Sequence, residues 1–141
     1  MSAKDLYHEA IKSLAAADTG HGRLEAPDGR ATLDNPLCGD RVEMEAQLAQ
    51  GRVAALAHRV KGCLLCRAAA SVIGKRAPGA SAEEIERLTA DLTDMLERQR
   101  PPPAGWEELS AFAPVHAHRS RYGCVLLPFK ALLAALRAAR S

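Results

Sequence analysis

The spacing of apolar positions changes period twice along this chain. In "SAKDLYHEAIKSLAAAD", residues 2–18, Leu6, Ala10, Ile11 and Leu14 recur at helical spacing, which predicts an amphipathic helix ended by Gly20 and Gly22. From 23 to 60 the period becomes two, and three antiparallel strands are expected: 31–33, 41–49 with Val42, Met44, Ala46 and Leu48 alternating, and 52–60 after a Gln50-Gly51 turn. Helical spacing returns in "LLCRAAASVIGK" at 64–75 and is broken by "PGA" at 78–80. The next helix, within 81–100, carries a capping-box pattern at Ser81 and Glu84 and an apolar stripe of Ile85, Leu88, Leu92 and Met95. "PPPAG" at 101–105 is too short a connector to separate domains, and "WEELSAF" at 106–112 predicts a further helix. The apolar tail 124–140 has helical spacing, with Pro128 expected in its first turn, where a missing backbone donor is best tolerated. The whole predicts one α+β domain over 1–141, a three-stranded antiparallel sheet packed by about five helices.

Composition narrows the class. A chain of 141 residues, 48% apolar and 26% charged, can bury a core without disulfides, and a net charge of +2 gives no argument for nucleic acid. Neither a basic leader with an apolar run nor an 18-residue apolar stretch is evident, so neither secretion nor membrane insertion is expected. A reducing cytoplasm follows as the expected compartment. There, four cysteines point to metal binding or reactive sulfur rather than disulfides, with buried packing thiols as the alternative.

Cys38 and Asp40 stand two apart in "LDNPLCGD", where a nearly extended backbone would turn a thiolate and a carboxylate to the same side. Cys63, in "KGCLLC", falls where the third strand gives way to a helix, and Cys124, in "RYGC", falls just before the last helix. Unsatisfied amides and the helix dipole would lower both thiol pKa values. Three thiols and one carboxylate can make a tetrahedral zinc site.

The segments "NPLCGDRV", "KGCLLCRAAAS" and "RSRYGCVLLPFKAL", in this order and over about residues 4–138, resemble the U-type iron-sulfur cluster scaffold family (NifU, IscU and SufU). The resemblance implies an α+β fold with three antiparallel strands, and a site of Cys38, Asp40, Cys63 and Cys124 that binds zinc or a transient iron-sulfur cluster. In the IscU branch a histidine directly precedes the last cysteine; here Gly123 stands there, and that branch's L-P-P-V-K motif is absent. The separation of Cys63 from Cys124, and Arg121 three before the last cysteine, look like the SufU branch. Members of that branch take sulfur from a cysteine desulfurase and hold zinc.

On this resemblance Cys38, in a Pro- and Gly-flanked loop, is the expected persulfide acceptor, Asp40 tunes how tightly the ion is held, and Cys63 and Cys124 anchor it. Arg121 is the expected ligand-exchange partner. Cysteine desulfurase and recipient iron-sulfur apoproteins or carriers are the implied partners, with no nucleic acid and no membrane. The implied role is that of a scaffold or carrier, at most a zinc-dependent sulfurtransferase. A structural zinc domain and a thiol-disulfide enzyme using Cys63 and Cys66 are the competing classes. Cys66 is either a small packing residue or a secondary sulfur holder. His8, His21, His58, His116 and His118 are expected to be solvated or locally hydrogen-bonded, His118 being the least remote from the site. Arg59, Lys61, Arg119 and Arg121 are expected around the cysteine loops, as a steering patch or a solvated rim. The apolar side of the first helix, Leu6, Tyr7 and Ile11, is either core or partner surface.

Overall fold

The structure, a computed structural model, describes residues 8–139. Strands β1 (Gly29–Asn35), β2 (Asp40–Ala49) and β3 (Arg52–Lys61) form an antiparallel meander in the order β1-β2-β3. Gln50 and Gly51 both take positive φ, 55° and 77°, the pairing that lets a two-residue turn follow the twist of the strands it joins. Val42, Met44 and Ala46 point into the core with no exposure. A register shift between Gln47 and Leu48 ends that alternation, so Leu48 is only half-buried.

Four α-helices are present among the described residues: α1 (Glu9–Ala17), α2 (Leu64–Arg76), α3 (Ala82–Arg98) and α4 (Tyr122–Ala139). With the sheet they make the α+β architecture that the periodicity predicts. α4 lies across β1 and β2; α2 packs against α1, α4 and β3; α3 packs against α4. Ile11 and Ala15 of α1 are buried, so this face belongs to the core, while Leu6 and Tyr7 lie outside the described residues. α1 ends earlier than its glycines suggest, at Asp18 in a left-handed conformation with φ 46°.

Several local expectations are corrected. Ser81 caps α3 by accepting the Glu84 N–H at 3.1 Å, but the Glu84 carboxylate turns to Arg52 at 2.8 Å, so the box is only half closed. The segment expected as a helix at 106–112 is instead a 3₁₀ run, Glu107–Ala117, followed by a short one, Arg119–Arg121. Pro114 interrupts α-helical bonding there. Because α4 starts at Tyr122, Pro128 sits inside the helix, past its first turn, and leaves the Cys124 carbonyl without its helical partner. Residues Arg119–Ala139 are, by length and composition, sufficient to cross a membrane, contrary to the expectation that no such stretch exists; 61% of the apolar window is buried inside the fold. Its apolarity is that of a core helix, with Val125, Phe129, Leu132 and Leu136 buried.

His58 is fully buried on β3, with Nε2 2.7 Å from the Thr19 carbonyl and Nδ1 without a partner. Burial, the largest cause, pushes its pKa below the ordinary 6.5, outweighing the Thr19 bond and the nearby Asp18 charge. The unfolded chain therefore takes up this proton at a higher pH than the folded one. Stability from this site is steady above about 6.5 and falls as pH drops below it, by up to about 1.4 kcal/mol per pH unit. Denaturant titrations across pH 7 to 5 should show that slope in the wild type and a shallower one in His58→Gln.

Candidate metal centre

Three segment ends meet at one edge of the sheet. The β1–β2 connection does not run extended as the sequence reading assumed. The Cys38 and Gly39 amides both donate to the Asn35 carbonyl, at 3.2 and 2.8 Å, and Gly39 takes φ 74°. This tight turn, rather than an extended strand, brings the Cys38 and Asp40 side chains together. With Cys124 from the first turn of α4, their ligand atoms all lie within 4.8 Å of one another.

Asp40 opens β2 and is 1% exposed. Its Oδ1 accepts the Cys63 N–H at 2.8 Å, while Oδ2 is buried with no partner. A buried carboxylate oxygen left unpaired is costly, and a bound cation would satisfy it. Gly62 makes the approach possible, because a Cβ at that position would collide with the Asp40 carboxylate.

Cys63 is the N-cap of α2, as expected, and is half-buried. It stands beside the trio without belonging to it. A hydrogen bond from the Cys124 thiol is the main reason that its pKa falls from 9.0 to about 7; the facing Cys66 and Leu65 amides help, and burial and Asp40 oppose. The expectation for Cys124 is reversed. Holding the shared proton toward Cys63, and crowded by burial, Cys38 and Asp40, its thiol is pushed upward. Three sulfurs and a carboxylate in so small a space repel one another as anions. The donor set thus suits a cation of the zinc type, which binds thiolate and carboxylate together.

Arg121 reaches this centre, with Nη1 3.9 Å from both the Cys38 and Cys124 sulfurs. Of the other members of the expected basic cluster, one is engaged elsewhere and two are solvated, as a rim would be. Arg59 pairs with Glu43 at 2.6 Å and donates to the Gly22 carbonyl at 2.8 Å, away from the cysteines. Lys61 and Arg119 are exposed. Cys66 is fully buried and its thiol is pushed upward by burial first, as suits a packing residue.

Among the described residues no histidine joins the ligand group. His8 caps α1 and contacts the Ala111 carbonyl, His21 lies 3.5 Å from Asp18, and His116 contacts the Leu96 carbonyl at 2.6 Å. His118 keeps a buried Nε2 without a partner. The sequence reading overlooked Asn35, whose side-chain Nδ2 lies 3.8 Å from the Cys124 sulfur. Its place beside Pro36 in the cysteine loop was the available signal.

The family model for the NifU-like N-terminal domain matches residues 6–118. This chain belongs to the NifU-like N-terminal domain family. It is similar to proteins named iron-sulfur cluster assembly scaffold protein IscU from Thermotoga maritima, 25% identical over 95% of this chain and 94% of the relative, and from Streptococcus pyogenes, 25% identical over 94% and 83%. The NifU-like fold is also seen in the crystal structure of a nitrogen-fixing NifU-like protein (N-terminal) from Brucella abortus, which superposes with a TM-score of 0.91 at 30% identity, over 97% of this chain and 96% of that one. The fold is shared as well with FiSufU from Fervidobacterium islandicum, a candidate SUF-system scaffold, at a TM-score of 0.85 and 21% identity, over 96% of this NifU-like chain and 99% of FiSufU.

Proposed function

We propose that this protein is an iron-sulfur cluster assembly scaffold and sulfur acceptor, taking persulfide sulfur from a cysteine desulfurase at Cys38. The observation that carries the reading is the convergence of Cys38, Asp40 and Cys124 within 4.8 Å, with the Cys63 amide donating to Asp40 at 2.8 Å. Family membership and the IscU-named relatives support it. Cys38, Asp40, Cys63 and Cys124 would hold zinc as the resident ion. A bound zinc ion keeps its thiol ligands deprotonated. The cluster assembled on the same residues is cargo, destined for iron-sulfur apoproteins or carriers.

Cys38 is suited to the sulfur step by access. It is half-exposed, and its neighbour Leu37, at the loop tip, is 76% exposed. The Cys38 thiolate attacks the outer sulfur of the desulfurase persulfide; a new S–S bond forms at Cys38, the old one breaks, and the desulfurase cysteine leaves as a thiolate. Arg121 sets a cation against the sulfurs of Cys38 and Cys124, where it can offset negative charge as Cys38 changes partners. The cytoplasm suits this chemistry, because its thiols stay reduced. A purely structural zinc site, by contrast, would gain nothing from a ligand on an exposed loop.

The test is to add the zinc-loaded protein to a cysteine desulfurase supplied with cysteine and follow alanine release. Faster turnover, saturating with added protein, is the expected result. An unchanged rate would contradict sulfur acceptance.

A further inference from the structure

Asn35 is placed to act on both halves of the centre at once. Its backbone carbonyl gathers the Cys38 and Gly39 amides, and its side-chain Nδ2 approaches the Cys124 sulfur, 89 residues away in sequence. The amide presents its nitrogen to that sulfur, the orientation that suits a deprotonated, metal-ligating thiolate, which can only accept. The room for it comes from Gly123. A Cβ at that position would stand 3.0 Å from Asn35 Nδ2, tighter than ordinary van der Waals contact, with Asn35 Cγ at 3.5 Å. The amide thus occupies the space where a side chain at the residue before the last cysteine would project.

We propose that Asn35 is a positioning residue of the metal centre: its side-chain N–H···S contact fixes the Cys124 sulfur, and Gly123 is small so that this contact can form. The inference rests on the metal-binding reading above. Cys124 is fully buried in the first turn of α4. Arg121 and Asn35 approach that sulfur at 3.9 and 3.8 Å. A hydrogen bond to a ligating thiolate draws electron density from sulfur and fixes its lone-pair direction. Outer groups of this kind typically change metal affinity by about 10–100-fold. Substituting the side chain leaves the Asn35 carbonyl, and with it the Cys38 turn, in place.

The experiment loads the wild type, Asn35→Leu and Gly123→Ala with cobalt(II) in place of zinc. The sulfur-to-cobalt charge-transfer band is recorded, and zinc affinity is measured against a chromophoric chelator. Asn35→Leu keeps the size and removes the donor; Gly123→Ala keeps the donor and displaces it. Both should move the band to longer wavelength and weaken zinc binding by about 10-fold or more. A folded Asn35→Leu with the wild-type band and affinity would overturn the inference. If Asn35→Leu does not fold, Gly123→Ala decides in the same way. A wild type that binds neither ion would overturn the metal reading, and this inference with it; a metal-bound wild type whose variants do not differ would overturn this inference alone.

Discussion

Cys38→Ala is expected to return the desulfurase rate to that measured without the protein, while leaving the fold intact. The side chain is half-exposed on a loop and touches the core only at its rim, with the Ser120 carbonyl at 3.7 Å and Arg121 at 3.9 Å from its sulfur. Its removal therefore costs little packing. The chemistry, by contrast, loses the proposed nucleophile: Cys124 and Cys66 are fully buried, and Cys63, half-buried at the N-terminus of α2, is the one other thiol in partial contact with solvent, so Cys63→Ala is the variant that separates the two. Cys66→Ala makes the matching control, because it removes a thiol of the same neighbourhood and should leave the stimulation in place. Alanine release at saturating protein reads these variants. Stimulation that persisted in Cys38→Ala would move the acceptor elsewhere.

Asp40→Ala should weaken zinc binding by at least about 10-fold, the lower range seen even when an outer partner of a ligand is lost. The effect has two sources. The ion loses the unpaired, buried Oδ2, and Cys63 loses the carboxylate oxygen that accepts its amide at 2.8 Å and so holds the start of α2 against β2. Asp40→Asn separates them, since the amide oxygen can still accept from Cys63 while the negative charge is gone. Its zinc affinity should fall between those of the wild type and Asp40→Ala. Competition with a chelating dye, with circular dichroism to confirm the fold, gives the comparison. Equal affinities in all three proteins would remove Asp40 from the ligand set.

Much of the architecture was legible because it rests on local rules. The period-two run through Val42, Met44 and Ala46, the Gln50-Gly51 turn, the Ser81 cap and the Ile85 to Met95 stripe each follow from a few adjacent residues, and each stands in the structure. The errors lie where distant parts decide. Whether Glu107–Ala117 becomes α or 3₁₀ depends on Pro114 and on the anchoring of this segment to the end of α3 by His116 and Tyr122, both bound to the Leu96 carbonyl. Glu84 leaves its capping box because Arg52, from a strand, competes for it.

The site was legible as a set of residues and less so as a geometry. The quoted segments named Cys38, Asp40, Cys63, Cys124 and Arg121; the structure brings the ligand atoms of Cys38, Asp40 and Cys124 within 4.8 Å, with the Cys63 amide on Asp40 and Arg121 near two of the sulfurs. Their individual chemistry was harder to read. A helix start lowers a thiol pKa in isolation, but Cys63 is lowered chiefly by the Cys124 thiol, with the Cys66 and Leu65 amides helping, and Cys124 is raised by the same interaction and by its acidic neighbours. That crowding exists only after folding. Asn35 and Gly62 escaped notice for the same reason, since neither is a ligand type and both matter through what they touch across the chain.

The sulfur itself reports most directly on this account. The zinc-loaded protein is incubated with a cysteine desulfurase and cysteine, free thiols and persulfides are alkylated, and the peptides are mapped by mass. The predicted product carries one additional sulfur atom on the peptide containing Cys38. Additional sulfur found only on Cys63, Cys66 or Cys124, or on none of the four, would contradict it.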